Sequence, residues 1–508
     1  MKFRMFRPVI KDNTIIEDIL RRALCSTRDG RLYVVGGCLR DWALGQPPKD
    51  VDLAVEDAAP TVARHIAKGL DGHSFLLHEA TQTARVALPS GLWIDIVQAP
   101  DGLEQDLRAR DFTINAMAAP AEDYLARLSN GRHAPVKGKR PQWIVDPLDG
   151  WGDLKNRKLR LCHPDSVNAD PLRVLRAVRL ITALDLGVDD ETDIRLRLAV
   201  PRLEETAAER VRDEWLSGLD RRDGYRYLVE AARRGVLDVI LPEWRDSEGL
   251  VQNGYHHLDV WEHTVEVLRL LGALEPPKDL EPLVTTYLDE LFTGLHTRRG
   301  LLYTAAVLHD IGKPTARTED ENGIARFHGH DRVSAEQSRA WLARWKFSQR
   351  EKTFVSNVIR LHMRAGSVVG RDATPKAIYR FFRDAGDAAP ALLLLNIADR
   401  LSARGPWTSD EEVRDQVDGS WRMLGRWSEL LTEANLPLPL SGRDVMREFA
   451  MPPGPEVGRV LSAVRDLHDD TPFANREAAL EAARNVVNDR IPETDLNNGT
   501  ATADNNVQ

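Results

Sequence analysis

The stretch that most constrains this chain is Tyr33 to Glu56, YVVGGCLRDWALGQPPKDVDLAVE. It predicts a short apolar strand over 32–35, a Gly36-Gly37 turn, a helical piece ending near Leu44-Gly45, a proline-marked loop, and a second strand carrying Asp50 and Asp52. Side chains alternate along a strand, so Asp50, Asp52 and Ala54 share one face while Val51, Leu53 and Val55 take the other. Two carboxylates on one face repel unless a cation lies between them. Hard oxygen ligands suit Mg2+, which completes its shell with substrate phosphates. A glycine pair without Cβ atoms lets phosphates approach the backbone N–H groups, and Arg40 can add a bidentate contact. The chemistry in outline is a triphosphate site.

G-G-x-x-R-D followed by D-x-D resembles the nucleotidyltransferases of the DNA polymerase β superfamily, specifically the bacterial class II tRNA nucleotidyltransferase and poly(A) polymerase family. The resemblance implies an α+β chain: an N-terminal polymerase β-like nucleotidyltransferase sheet with helices, followed by an all-α neck, an HD domain and a tail. The expected boundaries are 1–150 for the head, 151–250 for the neck, 251–410 for the HD domain, 411–490 for a tRNA-binding tail and 491–508 for a disordered end.

A length of 508 residues accommodates several domains. The formal charge of −9 supplies no global basic field, so RNA contacts must come from local patches. Cys25, Cys38 and Cys162 lack C-x-x-C spacing, which argues against a disulfide framework or a cysteine zinc site. No signal peptide or membrane-length apolar run is present. The expectation is a cytoplasmic protein that uses neither membrane nor DNA.

The run RVALPSGLWIDIVQA predicts a hairpin turning at Pro89-Ser90-Gly91, with Trp93, Asp95 and Val97 on one face. Polymerase β-like sheets commonly carry a third carboxylate on a neighbouring strand, which makes Asp95 the third catalytic candidate. EQDLRARDFTINAMA resembles the family's second motif, in which Arg110, Asp111 and Asn115 bind the ribose and triphosphate; Ala109 replaces the first of two customary arginines. Only residues 96–109 separate Asp95 from Arg110. Relatives that build a complete C-C-A end carry a longer flexible element there, so the short segment resembles enzymes that add only the two cytidines.

In ADPLRVLRAVRL, Asp170, Arg173, Arg176 and Arg179 recur every three residues and are expected to form a winding ridge on one helix. Cytosine and adenine each pair an exocyclic amino donor with a ring-nitrogen acceptor, which a carboxylate and an arginine can read together. The family's E-D-x-x-R motif assigns that reading to the positions of Asp170 and Arg173, with Arg176 and Arg179 as further nucleotide contacts; here Ala169 replaces the glutamate. Glu209, Arg210 and Glu214 resemble the family's E-R-x-x-x-E pattern.

A second constellation follows. His263, adjacent His309 and Asp310 before IGKP, and Asp399 in an apolar run occur in the order of the HD phosphohydrolase ligands. His330 and His362 stand where two-metal members have extra histidines. A charged Asp399 in an apolar helix is costly unless paired or metal-bound. Imidazole and carboxylate ligands admit a transition metal (Mn, Ni, Co, Fe or Zn), and such a site hydrolyses phosphomonoesters or cyclic phosphodiesters. Residues 275–299 form an acidic, proline-started insertion between the first ligand motifs. In the tail, Arg443 and Arg459 are the RNA-contacting candidates.

These readings combine into a tRNA nucleotidyltransferase that extends the tRNA 3′ end from CTP, with ATP as a second candidate substrate. The rival readings are a poly(A) polymerase and a non-catalytic RNA- or nucleotide-binding regulator.

Overall fold

The computed structural model describes residues 14–27, 31–48, 50–56, 58–78, 82–128, 138–294, 296–434, 438–470 and 473–488. The expected disordered end, 491–508, lies outside them. Two compact units result, Met1–His362 with Ile397–Val413 and Met363–Asn396 with Arg414–Gln508.

Alternating apolar residues build a six-stranded mixed sheet: β1 (Leu32–Val35), β2 (Val51–Val55), β3 (His73–His78), β4 (Thr83–Ala87), β5 (Trp93–Gln98) and β6 (Ala118–Pro120), in the order β3-β4-β5-β2-β1-β6. β2 and β5 run parallel, whereas every other neighbouring pair is antiparallel. The expected hairpin joins β4 to β5 through a turn in which Gly91 takes φ +86°, a left-handed conformation that glycine adopts without steric cost.

The Thr14–Ser26 helix buries Ile16, Ile19, Leu20 and Ala23, an i, i+3, i+4, i+7 stripe. The Ala59–Gly69 helix packs against it and across β3, β4 and β5. On the opposite face, Val35 and Ala54 are covered by Leu103 and Leu107 of the Leu103–Ala109 helix. Asp52 lies half-buried on the same face, beside buried Ala54.

Beyond residue 150 the first unit is largely helical. The Arg173–Leu184 helix packs on the Ala208–Leu219 helix, which in turn packs on Arg298–Leu308. Trp215 makes this contact specific: its Nε1 donates to Thr304 Oγ1 at 3.1 Å and its ring meets Trp341 edge-on at 5.4 Å. Within the 275–299 insertion, the Arg298 guanidinium lies over the rings of Tyr287 and Phe292 at 4.7 and 5.0 Å. Among the described residues, no helix is long and apolar enough to cross a membrane.

Candidate active sites of the head and the HD domain

In the head, β-sheet register sets the geometry. Asp52 on β2 lies directly beside Asp95 on β5, and Asp95 directly opposite Arg85 on β4, so the three share one face. Asp50 is exposed and sits one residue ahead of β2. Burial first, then the charges of Asp95 and Asp50, push the Asp52 carboxyl up to about 6, against the opposing pull of Arg110. A site that holds acids at this cost suits a divalent cation. Gly36 takes φ +71°, and a Cβ built there would lie 2.7 Å from Asp52 Oδ2. Both the turn and the nearby carboxylate therefore require glycine.

A continuous polar chain leads from this turn into the neck. Arg40 donates to Asp41 at 2.7 and 2.9 Å and to Asn115 Oδ1 at 2.6 Å, and Asn115 Nδ2 donates to Asp111 Oδ1 at 3.1 Å. The Phe112 N–H donates to the same oxygen at 2.8 Å, while Arg176 holds Asp111 Oδ2 at 2.7 Å. Arg179 donates to both oxygens of Glu214, at 2.7 and 3.1 Å. Burial works against the charge on Asp111, yet Arg176 outweighs it and holds the carboxyl well below the usual range.

The expected four-residue ridge is shorter than the sequence pattern implies. Arg173, Arg176 and Arg179 share the Arg173–Leu184 helix, but Asp170 precedes it in extended conformation, with φ −145° and ψ 94°. The physical reason is Pro171, whose ring disfavours helical backbone in the residue before it. Asp170 is gripped by Arg210 at 2.8 and 3.1 Å, and Arg173 donates to the carbonyls of Ala109 and Arg110, both at 3.1 Å. Arg110 itself is held by Asp106 at 3.0 Å.

The candidate HD ligands converge from several helices. His263 comes from Val260–Ala273, capped by a reciprocal Asp259–Glu262 box, and His309 and Asp310 follow Arg298–Leu308. His330 opens the His330–Arg344 helix, and His362 and Asp399 lie within Gln349–Val369 and Ala389–Ser402. Two trios bring ligand atoms within 4.8 Å of one another: His263, His309 and Asp310; and Asp310, His330 and His362. Asp310 belongs to both, and Asp399 Oδ1 approaches His263 Nε2 at 3.1 Å.

The Nδ1 atoms of His309, His330 and His362 lie 2.7, 2.8 and 2.6 Å from backbone carbonyls. A carbonyl only accepts, which places the proton on each Nδ1 and turns each Nε2 lone pair inward. The Nε2 atoms of His330 and His362 face each other at 3.2 Å, with Asp310 Oδ1 3.2 Å from the former. Lone pairs meeting a carboxylate need a cation. His309 Nε2 and Asp310 Oδ1 are buried without a hydrogen-bond partner among the described residues, so the donor set fits divalent metal. Burial lowers His263 and brings His362 down to about 4, keeping both rings neutral and able to ligate. Burial opposes ionisation of Asp310, yet in the metal-free site a protonated His309 and Lys313 hold its carboxyl well below the usual range; Asp310 in turn raises His309 against its own burial, and a bound metal would displace that Nε2 proton.

Residues 32–99 match the family described as poly A polymerase head domain, and 260–404 match the HD domain. An A-adding tRNA nucleotidyltransferase of Deinococcus radiodurans is 36% identical, over 85% of this chain and 90% of its own length. The chain belongs to the tRNA nucleotidyltransferase family. A CC-adding member from Thermus thermophilus is 32% identical over 88% of this chain and 92% of its own. In fold, the chain resembles a CCA-adding enzyme solved with ATP, at a TM-score of 0.55 and 21% identity, covering 96% of this chain and 100% of that one.

Of the tail candidates, Arg443 lies exposed in the Gly442–Glu448 helix, and exposed Arg459 pairs with Glu456 in Pro455–Asp470. Sequence reasoning missed Arg85 and Lys313. Counting outward from the 89–91 turn pairs residue 85 with residue 95, a signal that was available. Lys313 stands one helical turn past Asp310 and reaches its Oδ2 at 2.6 Å.

Proposed function

We propose that this tRNA nucleotidyltransferase family member extends the 3′ end of tRNA by Mg2+-dependent transfer from CTP, and that its HD site hydrolyses phosphate esters. The observation that carries the first reading is the 36% identity to a tRNA nucleotidyltransferase across nearly the whole of both chains, joined to acids on one sheet face. Asp50 and Asp52 are the assigned Mg2+ ligands; the bound ion would acidify the RNA 3′ hydroxyl and steady the pyrophosphate. Gly36 leaves room beside Asp52, and Arg40, Arg110 and Asn115 line the same end of the head. Asp170 would accept from the amino group of cytosine while Arg173 donates to its ring nitrogen. Both side chains have other partners in the structure, so base reading requires each to exchange them.

The short 96–109 connection supports addition of two cytidines rather than a full C-C-A end. Terminal adenosine addition is the second reading, favoured by the name of the Deinococcus relative. That relatives acting on tRNA match so much of the chain weighs against an open-ended poly(A) polymerase.

For the HD site, mixed imidazole and carboxylate ligands support a transition metal, with Mn, Ni, Co, Fe and Zn all compatible. His263, His309, Asp310 and Asp399 are assigned to one ion, and Asp310, His330 and His362 to a second.

The paired test is Asp52→Ala and His309→Ala. The first variant should lose CMP incorporation into tRNA, and the second should lose hydrolysis of p-nitrophenyl or cyclic-nucleotide phosphates. Incorporation that persists in Asp52→Ala contradicts the head assignment, and hydrolysis that persists in His309→Ala contradicts the HD assignment.

A further inference from the structure

The third acid of the head does not stand in the environment a metal ligand needs. Both oxygens of Asp95 accept from Arg85, Nε to Oδ1 at 2.6 Å and Nη2 to Oδ2 at 2.7 Å. The pair is directly cross-strand, and the guanidinium lies 4.4 Å over the Trp93 ring, so backbone register and stacking both fix it. Its two side chains are mostly covered, at 21% and 29% exposure, which shields the pairing from solvent. Among the described residues, Asp50, Asp52 and Asp95 form no trio of ligand atoms within 4.8 Å such as His263, His309 and Asp310 form.

We propose that Arg85 is a built-in cation of the head. Paired to Asp95, it takes the charge position a second divalent ion would occupy, so that the head holds a single ion on Asp50 and Asp52. A guanidinium bound to both carboxylate oxygens repels an incoming dication and leaves it only the outward lone pairs. Arg85 also balances the row Arg85–Asp95–Asp52, where it supplies the direct counter-charge to Asp95 while Arg110 pulls on Asp52. It is a positioning residue: it sets how many ions the site takes and where Asp95 points. The inference rests on the reading that Asp50 and Asp52 hold metal.

The test counts Mn2+ by electron paramagnetic resonance on the full chain with a non-reactive CTP analogue. Ions at the head are those lost in Asp52→Ala. Wild type should lose one ion on that substitution. Arg85→Ala should bind one ion more than wild type, and adding Asp95→Asn should remove the extra ion. Arg85→Lys, which keeps the charge, should retain the wild-type count. Should Arg85→Ala fail to fold, Asp95→Asn alone decides the matter: the wild-type count is expected, and loss of an ion overturns the proposal. Two head ions in wild type, or an unchanged count in folded Arg85→Ala, overturns it as well. If Asp52→Ala loses no ion, the Asp50/Asp52 metal reading fails and the inference falls with it, an outcome distinct from the others.

Discussion

Asp52 ionises near pH 4 in an unfolded chain and near 6 in the folded, metal-free protein. Between those values the native state holds more protons, so this group's contribution to stability falls as pH rises through the window. Asp52→Asn removes the penalty: it should raise metal-free stability by about 1–2 kcal/mol at pH 8 and leave it unchanged at pH 4. Denaturant melts at the two pH values check this, and equal effects at both would contradict the electrostatic account. Gly36→Ala should cost about 1–3 kcal/mol, through its positive φ and its Cβ pressed against Asp52 Oδ2, and should impair CTP binding. At this scale the sequence was legible where chemistry is local: Gly36, Asp52 and the His309-Asp310 pair announce themselves by spacing. Arg85 and Arg210 were harder to read, because their meaning depends on which residue stands across from them.

Among elements, the Ala208–Leu219 helix links the residues proposed to read the base to the candidate HD ligands. Its Arg210 grips Asp170, its Glu214 holds Arg179, and its Trp215 packs on the helices that lead to His309 and from His330. Glu214→Gln leaves Arg179 and Arg176 short of a counter-charge and should cost about 2 kcal/mol, since both arginines are partly exposed. Arg210→Ala frees Asp170 from the partner it must give up to read a base and should raise discrimination of CTP against UTP by about tenfold, measured as the ratio of kcat/KM values. An unchanged ratio would make the Arg210 contact merely structural. In the HD site, Asp310→Asn should lose both metals and His362→Ala one, read by elemental analysis of purified protein. The hairpin and its turn were legible from alternation and Pro-Ser-Gly. Strand β3 was not, because it is an edge strand with Phe75 and Leu76 exposed, and its side chains carry no inside-outside rhythm. The helical ridge was over-read at one residue, where Pro171 outweighs the three-residue period.

Across the whole molecule, a small sheet carries the acids, helices bring the proposed base-reading residues to it, and a separate candidate metal site lies further along the same unit. The order of these parts was legible because each carries its own motif. The number and kind of nucleotides added depend on how an RNA end and a base fit together in the head, which no single motif encodes. The decisive measurement therefore sequences the products formed by purified protein and Mg2+ on tRNAs ending at the discriminator base, after one C and after two Cs, with CTP and ATP supplied separately and together. The account predicts Mg2+-dependent addition that stops after two cytidines. Adenosine added to the C-C end would contradict the meaning given to the short 96–109 segment, and no addition to any of the three would contradict the central claim.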